Sequence, residues 1–196
     1  MLSVVIATQD SEQALLPTLA ALVPGATATL VREVIVADGG SRDATTEIAE
    51  GAGCDVLTLA APLAQRLKAA AAKARSGWLM FLPPGSVPDP TWVGDVARFT
   101  EETELRRLGA SRAAVFRPSS SAEPSMAGEA LSLLRRALGG KPRREQGLII
   151  HRQFYDSVGG HRPDVSDPEA DLISRLGRRN IVLLRSGAMM LSFGDP

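Results

Sequence analysis

From Leu2 to Leu82 the chain alternates short apolar runs with stretches whose apolar residues recur at helical spacing, and this alternation restricts the fold more than any other feature. Leu2 to Ala7 reads as a buried strand. Leu15, Leu16, Leu19, Leu22 and Val23 then follow at helical spacing behind a capping Asp10 or Ser11. Val34-Ile35-Val36-Ala37 is a second apolar run, closed by Asp38-Gly39-Gly40-Ser41, and a helix is predicted from about Asp43 to Ala52. Asp55 to Leu59, Ala64 to Arg75 and Trp78 to Leu82 supply a third strand, an Ala-rich helix and a fourth strand. Strands separated by helices join through right-handed crossovers that place helices on both faces of a sheet. The expected class is therefore α/β, a Rossmann-like three-layer sandwich around a mostly parallel central sheet. Ligands of such sheets bind beyond the carboxyl ends of the strands. Those ends carry Thr8-Gln9-Asp10, Asp38-Gly39-Gly40-Ser41 and Pro83-Pro84-Gly85-Ser86.

The second half is less regular. Asp89-Pro90-Thr91-Trp92 reads as a turn leading into a helix that runs to Leu108, followed by a strand over Ala113 to Arg117. A Ser- and Pro-containing loop covers Pro118 to Pro124, and Met126, Ala130, Leu133, Leu134 and Leu138 mark an amphipathic helix. A basic turn with Lys141, Arg143 and Arg144 precedes a strand over Gly147 to Ile150. A short helix over Gln153 to Val158 is broken by Gly159-Gly160; a helix from Glu169 to Leu176 and a strand over Ile181 to Leu184 close the pattern.

Composition narrows the function classes. At 196 residues and 44% hydrophobic content, with no run near 18 apolar residues, the chain is expected to be one soluble domain over 1–196 without a transmembrane segment. Lys plus Arg equals Asp plus Glu at 22 each, so no global field draws it to nucleic acid. The Arg106-Arg107, Arg135-Arg136 and Lys141 to Arg144 clusters leave a peripheral membrane contact open, beside the plainer reading as solvated helix ends. The single Cys54 cannot form an internal disulfide, and no export signal precedes the first strand, so a cytoplasmic location is expected. His151 and His161 lack the neighbouring ligands of a zinc site and read as surface or hydrogen-bonded histidines.

Four segments carry a family resemblance. Val4-Val5-Ile6-Ala7-Thr8-Gln9-Asp10 with Leu15, Thr18 and Leu19 resembles the first strand and helix of family-2 glycosyltransferases of the GT-A fold. Glu33 to Thr45, with Asp38-Gly39-Gly40-Ser41 at its centre, resembles their second strand and nucleotide-binding turn, and is the most specific match. Ala72-Lys73-Ala74-Arg75 through Phe81-Leu82 is similar to the segment leading into their metal loop. Glu145-Gln146-Gly147-Leu148-Ile149, Phe154 and Gly159-Gly160 resemble the acceptor-side segment of a small bacterial subgroup. The resemblance implies a nucleotide-binding half over 1–88 and an acceptor-side half over 89–196. It also implies a nucleotide-sugar donor, UDP-type by preference, and an acceptor it does not identify.

Such a transfer must bind the base and ribose, neutralise the departing diphosphate and remove a proton from the acceptor hydroxyl. For the first task the resemblance implies Thr8, Asp10, Asp38, Gly39 and Ser41; a turn-closing or helix-capping role for Asp38 is the competing reading. For the second, the family carries an Asp-X-Asp motif holding divalent Mn or Mg, and at that place stand Pro83, Pro84 and Gly85, so no metal ligands are assigned. Lys68 is the expected substitute cation, with solvated helix charges as the competing reading; Arg66, two residues away, lies on another part of the helix, so only one of the two is expected to face the site. Asp89 is a weaker carboxylate candidate. For the third, Glu169 matches the second acid of the family's catalytic pair, while Asp167 and Glu169 also suit a helix N-terminus. Glu145 and Gln146 fall on the acceptor side. Three functions remain open: a transferase with an altered diphosphate site, a nucleotide or sugar binder without turnover, and an interaction scaffold.

Overall fold

The computed structural model describes residues 1–109, 111–119 and 146–193. Its first half follows the alternation closely: β1 (Leu2–Thr8), α1 (Glu12–Thr27), β2 (Val31–Asp38), α2 (Thr45–Gly51), β3 (Asp55–Thr58), α3 (Leu63–Lys73) and β4 (Trp78–Phe81). β1 pairs in parallel with both β2 and β4, and β2 with β3. Val4, Val5, Ile6, Ile35 and Val36 are fully buried, as β-branched residues of a strand covered on both faces should be. Successive side chains point to opposite faces, so the core divides in two. Val4 and Ile6 pack with Leu15 and Leu22 of α1, whereas Val5 and Ile35 pack with Leu67, Ala70 and Ala71 of α3.

The second half extends the same sheet. It contributes β5 (Ser86–Pro88), α4 (Trp92–Leu105), β6 (Ala113–Ser119), β7 (Leu148–His151), α5 (Arg152–Ser157), α6 (Pro168–Leu176) and β8 (Ile181–Met190). The eight-stranded sheet has the order β3-β2-β1-β4-β7-β6-β8-β5. β7 is antiparallel to β4 and β6, β8 is parallel to β6, and β5 is antiparallel to β8. Helix α4 covers the face of α1, while α5 and α6 join α3 on the other, which makes the three layers. The sheet is mixed but mostly parallel. The helix expected over Met126 to Leu138, the basic turn and Glu145 lie outside the described residues. Among those described, no helix is long and apolar enough to cross a membrane.

Two elements depart from the sequence reading. β5 has no counterpart among the expected strands, and β8 continues to Met190 rather than stopping near Leu184. Both arise from pairing between distant segments: Ser86 to Pro88 become a strand only because Met190 to Ala188 lie alongside. The continuation of β8 past Ser186-Gly187 is held from the side by two carboxylates. Asp89 Oδ2 accepts from the Gly187 N–H, and Asp95 Oδ2 from the Ser186 N–H at 2.6 Å. Asp95 and Ser186 are both buried, so Asp95→Ala leaves a buried donor without its charged acceptor. We expect a loss of about 2–3 kcal/mol, read as a lower urea midpoint at unchanged m-value.

Candidate functional site

The parallel register sets Thr8 directly beside Asp38, so the carboxyl ends of β1 and β2 finish flush and their loops meet. Asp38 is fully buried, and its carboxylate organises that junction. Oδ2 accepts from the backbone N–H groups of Gly40 and Ser41, both at 2.8 Å, and Oδ1 from the hydroxyls of Ser41 and Thr8. Burial alone would raise the Asp38 pKa; the bonds from Ser41, Gly40 and Thr8 outweigh it and hold the pKa below the usual value. Ser41 Oγ also accepts from the Asp10 N–H, and Asp10 Oδ1 accepts from the Arg42 N–H. Thr8, Asp10, Asp38, Gly39 and Ser41 therefore form one hydrogen-bonded rim. The turn-closing role weighed for Asp38 is the one its four bonds display.

The cation that faces this rim is Arg66, not Lys68. Arg66 lies on the buried face of α3 with Leu67, Ala70 and Ala71, and its Nη1 donates to the carbonyls of Thr8 and Ala37. Its Nε is buried with no partner among the described residues. Burial pulls the guanidinium pKa down, and the Asp38 carboxylate pulls it back up. A Cβ on Gly39 would come within 2.8 Å of Arg66 Nη1, so this close approach is what a glycine here permits. Lys68, two residues on, is exposed and lines a surface cavity of about 240 Å³ with Arg152, Tyr155, Asp156 and Gly160. The sequence did hold the signal. Ala64, Leu67, Ala70 and Ala71 are the buried stripe of α3, and Arg66 is the one charged residue inside it.

The loop after β4 is tied down on two sides. The Gly85 N–H donates to Ala14 O and to Thr18 Oγ1 of α1, and Gly85 O accepts from the Leu191 N–H. Gly85 has φ of 88°, and a Cβ there would lie 3.1 Å from Leu191 O and 3.2 Å from Met190 Sδ. Asp89, the other carboxylate considered, is engaged by Thr91 and Gly187.

On the far side of β4, Glu169 stands in the first turn of α6. The preceding acid, Asp167, is the N-cap, accepting from the Ala170 N–H at 3.0 Å. Glu169 lines a small cavity of about 10 Å³ with Phe81, Gly147, Leu148, His161 and Ile173. Phe81 is the last residue of β4 and pairs with Leu148, which puts Glu169 at the same rim of the sheet as the loop. Gln146 is buried and donates from Nε2 to Phe116 O at 2.7 Å. Of the two histidines, His151 caps α5 and His161 is 1% exposed, so the latter is a core residue rather than a surface one.

The family model for glycosyl transferase family 2 matches residues 3–160. The chain belongs to that family. Solved structures give the same fold at low identity. The Staphylococcus aureus TarS 1-349 complex with UDP-GlcNAc aligns with a TM-score of 0.72 at 17% identity, covering 98% of this family-2 chain. This chain spans 59% of that TarS structure. Glucosyl-3-phosphoglycerate synthase from Mycobacterium tuberculosis, in complex with Mn2+, UDP and glucosyl-3-phosphoglycerate, aligns at 0.67 with 19% identity, over 99% of this chain and 73% of that one. Among curated proteins none matches the sequence.

The family-2 assignment raises the question of a metal, and the residues here do not fit one. Pro83, Pro84 and Gly85 offer no carboxylate, and the Cα–Cβ direction at Gly85 points into Met190 and Leu191 rather than toward open space. Among the described residues no group of three or more His, Cys, Asp or Glu side chains could hold an ion.

Proposed function

We propose that this family-2 protein binds a nucleotide-sugar donor, UDP-type by preference, at the joined ends of β1 and β2, and transfers the sugar without a metal held by the β4 loop. The observation that carries the reading is the charged, hydrogen-bonded rim of Thr8, Asp10, Asp38, Gly39 and Ser41 with Arg66 reaching into it. UDP and UDP-GlcNAc in the TarS complexes, and UDP in the synthase complexes, support this choice of donor. Asp38 acts through the turn it holds. Arg66 rotates from the carbonyls of Thr8 and Ala37 to meet the ligand, and Lys68 supplies a further positive charge from the exposed side of α3. Glu169 takes the proton of the acceptor hydroxyl as that oxygen bonds to the anomeric carbon, and the nucleoside diphosphate leaves with the electron pair of the broken bond. Gln146 shapes the acceptor side, with Glu145 adjacent in sequence. The chain acts as one domain, 1–88 serving the nucleotide and 89–196 the acceptor.

A second reading, nucleotide binding without turnover, is favoured by one observation: the loop that should face the diphosphate carries Pro83, Pro84 and Gly85. Thermal denaturation separates binding from its absence. UDP should raise the melting temperature, and manganese should change that rise little; a stabilisation that appears only with manganese would refute the metal-free site. Donor hydrolysis or transfer then separates the two readings. Glu169→Gln should slow turnover by about 10²–10⁴-fold if Glu169 is the base. Equal rates would remove it from that role.

A further inference from the structure

His161 has no place in the chemistry above, yet its setting is specific. It follows Gly159 and Gly160, both at positive φ, and a Cβ on Gly160 would come within 2.8 Å of the Tyr155 ring. That close approach folds the turn back so that His161 lies against Tyr155 and, edge-on at 4.8 Å, against Phe81. His161 Nδ1 is 2.9 Å from the Tyr155 hydroxyl, whose oxygen also accepts from the His161 backbone N–H at 3.2 Å. An oxygen that already accepts from that N–H has its own hydrogen to give, and Nδ1 is the acceptor in reach. A neutral imidazole accepting at Nδ1 carries its proton on Nε2. That nitrogen is buried with no partner among the described residues, and the ring lines the cavity of about 10 Å³ that Glu169 also lines, roughly the room of one water.

Arg175 locks the two elements together. Its guanidinium donates to Asp171 on α6 and to the carbonyls of Val158 and Gly160 in the turn, so the loop bearing His161 and the helix bearing Glu169 are joined through one side chain.

We propose that His161 is a positioning residue for Glu169: its Nε2–H, oriented by Tyr155, donates through a single buried water to the Glu169 carboxylate. The bond holds the carboxylate in one rotamer at the end of β4. Its catalytic consequence rests on the reading of Glu169 as base; the hydrogen-bonded coupling does not. Among the described residues, the charged groups around the ring are Arg175 and Asp171 from α6, with Glu169 across the cavity and the neutral Tyr155 from α5.

The chain has two histidines, so nitrogen NMR of the imidazoles tests this directly, with His161→Gln assigning the signals. In the wild type His161 should be neutral at pH 7, protonated at Nε2 and bare at Nδ1. Glu169→Gln should shift the Nε2 resonance and its proton while leaving His151 unmoved, and Tyr155→Phe should return a mixture of tautomers. A wild-type proton on Nδ1, or an Nε2 signal indifferent to Glu169→Gln, overturns the proposal. In turnover, His161→Phe should lower kcat with little change in KM, and His161→Gln, which keeps a donor, should recover part of the loss. Unchanged turnover in Glu169→Gln together with a shifted Nε2 signal would refute Glu169 as base and leave the coupling standing.

Discussion

Asp38→Ala is expected to destabilise the protein by roughly 3–5 kcal/mol and to abolish stabilisation by UDP. The carboxylate accepts from the Gly40 N–H and the Ser41 N–H, and it also receives the Ser41 and Thr8 hydroxyls. Removing it strands two backbone donors and lets the loops after β1 and β2 part. Asp38→Asn should be much milder, near 1 kcal/mol, because the amide oxygen can serve the two N–H groups while its NH₂ donates to the two hydroxyl oxygens. Urea unfolding at pH 7 measures the stability difference, and thermal shift measures the nucleotide response. A nucleotide response in Asp38→Ala as large as in the wild type would place the ligand elsewhere. The charge also has a pH signature. The folded pKa of Asp38 lies below its ordinary value of 3.8, so its contribution is complete above that value and fades as pH falls through the folded pKa.

A separate acid response belongs to His161 and falls in a different window. Burial, with Arg175 adding to it and Asp171 opposing it, pushes the His161 pKa from 6.5 to about 4. Between those values the unfolded chain binds a proton that the folded chain does not, so stability rises with pH across the window and is lost on acidification. The full loss from pH 6.5 to 4 is about 3 kcal/mol, from 1.36 kcal/mol per pKa unit. His151 is also depressed, by burial first, and contributes in the same direction. His161→Phe should flatten most of the slope, with denaturant midpoints at several pH values as the readout. A slope as steep in that variant would assign the acid response to other groups. The carboxylates Asp38, Asp89 and Asp95 act below this window, since each is held under 3.8.

The first half of the fold was legible because its signals are local. Val4 to Ile6 and Ile35 to Val36 announce strands by their own side chains, and Leu15 and Leu22 announce the helix between them. The elements that were missed owe their form to partners far along the chain. Ser86 to Pro88 have no strand pattern of their own, and Gly187 interrupts the apolar run that would have extended β8. The site divides in the same way. Asp38-Gly39-Gly40-Ser41 stood out as a turn at a strand end, whereas choosing between Arg66 and Lys68 needed the rotation of α3, which depends on which face of an Ala-rich helix packs down. His161 was hidden for a related reason. Nothing adjacent marks it as buried, and its environment is assembled from Phe81, Tyr155 and α6.

The fastening of Gly85 has a further effect. One short peptide is gripped by α1 through Ala14 and Thr18 and by Leu191, the residue that follows β8. Segments far apart in the sequence thus share a single knot in the loop after β4. Loosening the chain at Leu191 would slacken that loop from a distance, and contacts of such long sequence separation are among the last to form as the molecule folds.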